Sequence, residues 1–162
     1  MNATAANIVA GSSAAALAKN SGKKTSFFTV YVNNSVFGLE VKEAQAIFRV
    51  GAITPIPLMQ KEVAGFINLR GKVVVAVSLR RRLGAPPAGG NGEGVAIGLE
   101  RDGEPFALLV DRVGDVLTLS DSARSEMPPH CDELQSRYTQ DLYVLDSGLI
   151  PILDVRSLFD FK

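Results

Sequence analysis

Phe37-Gly38-Leu39-Glu40-Val41 and Phe106-Ala107-Leu108-Leu109-Val110 stand 69 positions apart and carry large apolar residues at the same alternate places. Such alternation puts every second side chain on one face of a strand. Working outward, each segment follows a second alternating run and a turn signal. Phe28, Val30 and Val32 lead into Asn33-Asn34-Ser35, while Val95, Ile97 and Leu99 lead into Arg101-Asp102-Gly103-Glu104, so both read as hairpins. Downstream, Ala44 and Ile47 are matched at the same offset by Val113 and Val116. Val73-Val74-Val75-Ala76-Val77-Ser78 and Arg80 are then mirrored by Leu149-Ile150-Pro151-Ile152-Leu153-Asp154 and Arg156, now 76 positions on. The added positions fall between Met127 and Tyr138. The chain is an internal duplication of a mostly β unit.

The repeat sets the expected organisation. Residues 1–24 are rich in Ala, Asn and Ser, lack the early positive charge of a signal peptide, and read as a flexible leader. Residues 25–84 form the first half, the Pro- and Gly-rich residues 85–94 an exposed connector, and residues 95–162 the second half. A unit of about sixty residues with about five short strands cannot bury both faces of an open sheet, and curling into a barrel removes its edges. The expected fold is therefore mainly β, two small barrels packed together with short helices, and a ligand would dock in the groove between them. Residues 42–48 are expected to make one short helical turn, because Ala44, Ile47 and Phe48 fall at helical spacing. Residues 73–77, apolar throughout, are expected as a strand covered on both faces. Arg80, Arg81 and Arg82 read as a solvated helix end.

Composition narrows the class. The 162 residues are 46% hydrophobic, enough for one compact domain or two subdomains sharing a core. Lys+Arg and Asp+Glu are both 17, so no charge excess favours nucleic acid or anionic membrane. Cys131 is the only cysteine, which excludes an intrachain disulfide and fits a reducing compartment. No apolar run approaches the roughly 20 residues that span a bilayer. The expected location is the cytoplasm.

Catalytic constellations are missing. His130 is the only histidine and lies in Pro128-Pro129-His130-Cys131-Asp132-Glu133. Neighbours on an extended chain point opposite ways, so His130 and Cys131 do not face each other as a nucleophile pair. A zinc site lacks a second Cys or His. Gly89-Gly90-Asn91-Gly92-Glu93-Gly94 has no following Lys-Ser/Thr and opens onto a strand, so it reads as linker, not phosphate loop. No enzyme, cofactor or metal is expected. Asn68-Leu69-Arg70-Gly71 admits two readings: a turn that needs glycine's backbone freedom, or a rigid mount for Arg70 as an exposed recognition residue.

Taken in order, these residues resemble the CheW family of chemotaxis coupling domains. Gly65-Phe66-Ile67-Asn68-Leu69-Arg70-Gly71 with its following apolar strand is similar to the family's Gly-x-x-Asn-Leu-Arg-Gly signature. Val110-Asp111-Arg112-Val113-Gly114-Asp115-Val116 and Gly148-Leu149-Ile150-Pro151-Ile152-Leu153-Asp154 resemble its later signatures, and the likeness runs from about residue 26 to 160. It implies two five-stranded, SH3-like barrels around a shared interior and a non-catalytic scaffold in two-component signalling. It also implies two partners: the helical cytoplasmic tip of a membrane-array chemoreceptor, and the homologous regulatory domain of the histidine kinase CheA. By position, Val41, Ala44, Ile47, Val95 and Phe106 would line or support the receptor groove, with Val41, Ile47 and Phe106 equally readable as core. Arg70 and Gly71 would belong to the surface that meets kinase or receptor. Three positions depart from the family pattern. Ala46 stands where an acidic residue is usual and so removes a partner for Arg70, Ser78 replaces Asp, and Asp141 replaces Gly. A chemotaxis-like pathway serving surface motility or development is the alternative scaffold reading, and a small-ligand carrier using the groove is the alternative class.

Overall fold

The computed structural model describes residues 23–86, 94–126 and 133–160. The expected leader, most of the connector, His130 and Cys131 lie outside the described residues, although Lys24 already belongs to the first strand. β1 (Lys24–Val32) and β2 (Ser35–Glu40) pair as the first hairpin, with Phe28 opposite Leu39 and Val30 opposite Phe37. A single 3-10 turn (Val41–Glu43) leads to β3 (Ala46–Arg49). β4 (Val63–Leu69), β5 (Lys72–Ser78) and the one-turn helix α1 (Leu79–Arg82) close the first half. The second half holds the hairpin β6 (Val95–Arg101) and β7 (Glu104–Val110), then β8 (Arg112–Ser120) and the two-residue β9 (Arg124–Ser125). It ends with α2 (Glu133–Arg137), β10 (Thr139–Leu145), β11 (Gly148–Leu153) and α3 (Val155–Leu158).

The strands make two sheets, ordered β8-β1-β2-β11-β10-β9 and β3-β6-β7-β5-β4. The fold is mainly β with two subdomains, as expected, except that β9 brings the first sheet to six strands. Each sheet curls around its own cluster. Phe27, Leu117, Leu119, Tyr143, Ile150 and Ile152 fill the first, while Ile67, Val74, Ala76, Ala96, Ala107 and Leu109 fill the second. A third and larger cluster, including Val30, Phe37, Leu39, Val77, Ile97 and Leu108, draws on both sheets and binds them together.

Each sheet takes strands from both sequence halves, so residues 25–84 and 95–162 mark the duplication and not the two sheets. The pairing is symmetric under the sequence offsets. Phe28 lies opposite Val116, and a shift of 69 positions in each half turns this pair into Ile97 opposite Ile47. Gly38 lies parallel to Ile152, and Ala107 parallel to Ala76, the same pair after shifts of 69 and 76. The bulge between Val63 and Gly65 on β4 recurs between Thr139 and Asp141 on β10. Even the caps match: Ser78 Oγ accepts the Arg81 N–H at 3.2 Å and Asp154 Oδ1 accepts the Arg156 N–H at 3.1 Å. Ser78 therefore caps its helix as Asp154 does at the equivalent place in the second half.

Local expectations needed three corrections. Only Val41–Glu43 is helical; Ile47 and Phe48 are in β3, where pairing with β6 outweighs a helical spacing too short to nucleate a helix. Val73 is 66% exposed, because it sits at the hairpin end of β5, beyond the cover of either core. The arginine run is a solvated helix end only at Arg81, which is exposed, whereas Arg80 is paired with Asp111. Arg82 is buried, donates through Nε to Leu158 O at 2.8 Å and lies over the Tyr138 ring at 4.8 Å.

Candidate functional site: an apolar sheet edge and an arginine hairpin

β3 is the outer strand of the five-stranded sheet, next to β6, with β7 beyond β6. Ile47 lies opposite Ile97, Arg49 opposite Val95, and Leu99 opposite Phe106. Directly opposed residues share a face, and so do residues two apart on a strand. Ile47, Val95 and Phe106 therefore look the same way, towards the core between the two sheets. Ala44, Val95 and Phe106 pack half-buried against that core, and Val41 is half-buried in the turn before β3. The Phe106 ring stacks on Phe159 with centroids 4.7 Å apart. Ile47 differs from the rest: it is 41% exposed on an edge strand. An aliphatic side chain so placed offers apolar area to a partner at little desolvation cost.

The duplication repeats this edge. Val113 and Val116 occupy on β8 the places of Ala44 and Ile47; Val113 packs half-buried against the same core and Val116 is 49% exposed. Sequence reading placed these two only as continuations of the repeat, although the constant offset was the signal that could have found them. A cleft of about 320 Å³ also opens near the 3-10 turn, but its walls include Glu43, Glu100, Arg101, Asp102 and Arg156. It is a charged recess, unlike the apolar edge beside Ile47.

Arg70 and Gly71 form the two-residue tip of the β4–β5 hairpin, between the opposed Leu69 and Lys72. Their φ values are 52° and 83°, both left-handed, as a type I′ turn requires. The Gly71 N–H donates to Asn68 Oδ1 at 2.9 Å, which explains the Asn and the Gly of the motif. Arg70 is exposed at this rigid tip, and no hydrogen bond or ion pair of its guanidinium is present among the described residues. A Cβ placed on Gly98 would sit 3.4 Å from Leu69 Cδ2 and 3.6 Å from Ala46 Cβ, so the Ala46 and Leu69 side chains both flank Gly98. The candidate surface thus has two parts, apolar Ile47 on an edge strand and the exposed Arg70 guanidinium at a hairpin tip.

Asp111, from the motif that begins at Val110, has a different task. It accepts two hydrogen bonds from Arg80, at 2.9 and 2.8 Å, and one from the Asn33 N–H at 2.8 Å. Burial alone pushes its carboxyl up, but the bonds from Arg80 and Asn33 and the Arg80 charge outweigh it and hold the group below its ordinary value.

The family model for the CheW-like domain matches residues 26–162. A probable chemotaxis protein CheW of Rhizobium etli is 30% identical over 106 residues, which are 65% of this chain and 68% of that one. The chemotaxis protein CheW of Bacillus subtilis is 24% identical over 129 residues, covering 80% and 83% of the two chains. Among solved structures, the scaffolding protein TtCheW from Thermoanaerobacter tengcongensis superposes with a TM-score of 0.77 at 24% identity, over 86% of this chain and 95% of that one.

Proposed function

The chain belongs to the CheW-like family, and from that premise we propose that it is a non-catalytic scaffold that couples chemoreceptors to a CheA-type histidine kinase. The observation that carries this reading is the family match across both halves of the fold, together with an exposed Ile47 on an apolar edge open to a partner. The receptor's helical tip lies along β3 against Val41, Ala44, Ile47, Val95 and Phe106, a helix in a groove held by apolar burial. Arg70, raised on its Gly71 hairpin, meets an acidic side chain of the kinase domain or the receptor, where a planar guanidinium binds a carboxylate through two hydrogen bonds. Each contact is weak, about micromolar or about −8 kcal/mol, and arrays hold together by multivalency. The protein works at the cytoplasmic face of the membrane; among the described residues no helix is long and apolar enough to cross it.

The test is capture from cytoplasmic extract, with the tagged protein as bait and mass spectrometry as readout, alongside Ile47→Asp. A charge in an apolar groove costs several kcal/mol, so Ile47→Asp should lower receptor capture at least tenfold and leave the circular dichroism spectrum unchanged. Capture of neither a receptor nor a kinase by the unaltered protein, with bait above tens of micromolar, sinks the scaffold reading. Equal receptor capture by both proteins removes Ile47 from the groove.

A further inference from the structure

Four consecutive backbone carbonyls, from Ser157 to Asp160, each accept a guanidinium N–H. Arg82, buried at the end of α1, donates through Nε to Leu158 O at 2.8 Å, and through Nη2 to Ser157 O at 3.2 Å and to Asp160 O. Arg101, at the end of β6, donates through Nη1 to Phe159 O at 2.8 Å. The last carbonyls of a helix such as α3 have no partner within it, and a planar guanidinium fork can collect several at once. Phe159 is thereby held at its own carbonyl and at those on both sides. Its buried ring stacks on Phe106 with the planes 16° apart. Phe106, Ala44 and Val95 are half-buried against the core cluster to which Phe159 belongs.

The clamp breaks the duplication. A shift of 76 positions carries Arg82 to Leu158 and Leu83 to Phe159, and a shift of 69 carries Val32 to Arg101 and Phe37 to Phe106. Neither Val32 nor Leu158 has a side-chain donor, and Leu83 offers Phe37 no ring to stack on. The first half therefore builds its turn of helix without this device. The second half adds it beneath Phe106, which is half-buried where Phe37 is buried. We propose that Arg82 and Arg101 are positioning residues for the receptor groove. They fix Phe159 as the support on which Phe106 rests, and so set the surface that an apolar side chain of the receptor helix meets. The inference rests on the reading of Phe106 as part of that groove.

Arg101 is the end of the clamp to change first. Its side chain is 29% exposed and its Nε stands 3.8 Å from the Asp102 carboxylate, so Arg101→Met keeps the apolar stem and removes the donor to Phe159 O. Asp102→Asn loses only the ion pair and is the control. With 4-fluorophenylalanine in place of phenylalanine, the Phe106 fluorine signal is identified by its loss in Phe106→Leu, and Phe159→Leu gives its position without the stack. In Arg101→Met, with an unchanged circular dichroism spectrum, that signal should move towards its Phe159→Leu position. Receptor capture by Arg101→Met and by Phe159→Leu should fall about threefold to tenfold, the worth of an aromatic pair, with kinase capture unchanged. Asp102→Asn should change neither signal nor capture. A Phe106 signal that stays in place overturns the proposal without reference to any receptor, as does a change that Asp102→Asn reproduces. Receptor and kinase capture falling together, in step with a smaller folded fraction, make the clamp purely structural and overturn it too. If the signal moves and receptor capture holds while Ile47→Asp lowers it, the groove stands and the role of the clamp falls. If Ile47→Asp also leaves capture unchanged, the groove reading itself has failed.

Discussion

Arg80 and Arg156 hold equivalent places after β5 and β11, yet of the two only Arg80 meets a carboxylate among the described residues, through the Nε and Nη2 of one guanidinium edge. The pair lies between exposed and buried, with side chains 12% and 19% exposed, so removing the charge of Asp111 should cost about 1–2 kcal/mol, above a surface pair and below a fully buried one. Because the folded carboxyl titrates below 3.8, its contribution is complete above that pH and fades as pH falls through the lowered folded value. Urea midpoints of Asp111→Asn and the unaltered protein should therefore differ at pH 7 and converge below about pH 4. A gap that stays constant with pH would mean the pair is not the cause. Arg70 gives the opposite expectation. With an exposed guanidinium and no partner among the described residues, Arg70→Ala should shift the melting temperature by less than about 2 °C while weakening kinase or receptor capture several-fold. A large loss of stability would make Arg70 a structural residue instead. The turn at Arg70 was legible because Asn-Leu-Arg-Gly names its own chemistry; the Arg80–Asp111 pair was not, since nothing local links residues 31 positions apart.

The bulges of β4 and β10 separate what repeats from what does not. At the first, Gly65 has φ 146°, and a Cβ there would collide with the Thr54 carbonyl of the loop that crosses it. At the second, Asp141 lies outside the left-handed region and its carboxylate stands 3.6 Å from Arg124 Nε. Glycine is thus required only where the Thr54 bridge to Phe66 presses on the strand. The departure at Asp141 leaves the element intact. Gly65→Ala should destabilise by about 3 kcal/mol, combining left-handed strain with a backbone clash. Asp141→Gly should cost under about 1 kcal/mol, the worth of a half-exposed ion pair and some chain entropy. Thermal melts of the two variants measure this directly, and equal losses would refute the asymmetry. Hairpins such as β6–β7 were legible because period-two alternation and Asp102-Gly103 agree. β3 was not, because Ala44, Ile47 and Phe48 fit a helical period, and only the free edge of β6 decides for a strand.

At the scale of the whole molecule, alternation tells which side chains share a face but not which strand lies alongside. That is why the repeat could be read from residues 37–41 and 106–110 while the interleaving of the two halves could not. The interleaving has a thermodynamic consequence. Were each half a barrel of its own, residues 25–84 and 95–162 would open as separate units with separate free energies. Here β1 loses β8 and β2 loses β11 if the second half opens, and β6 and β7 lose β3 and β5 if the first does. The clusters inside both sheets also contain side chains from both halves, so neither half keeps a closed core alone. The molecule should unfold as one cooperative unit. Hydrogen exchange read by mass spectrometry tests this on peptides covering β1–β2, β4–β5, β6–β7 and β10–β11. Their slowest amides should report one opening free energy, within about 1 kcal/mol, and shift together with urea. If the strands of one sequence half exchange more than about tenfold faster than those of the other, a gap of about 1.4 kcal/mol, the halves open independently. The shared core would then contribute less than the pairing across it implies.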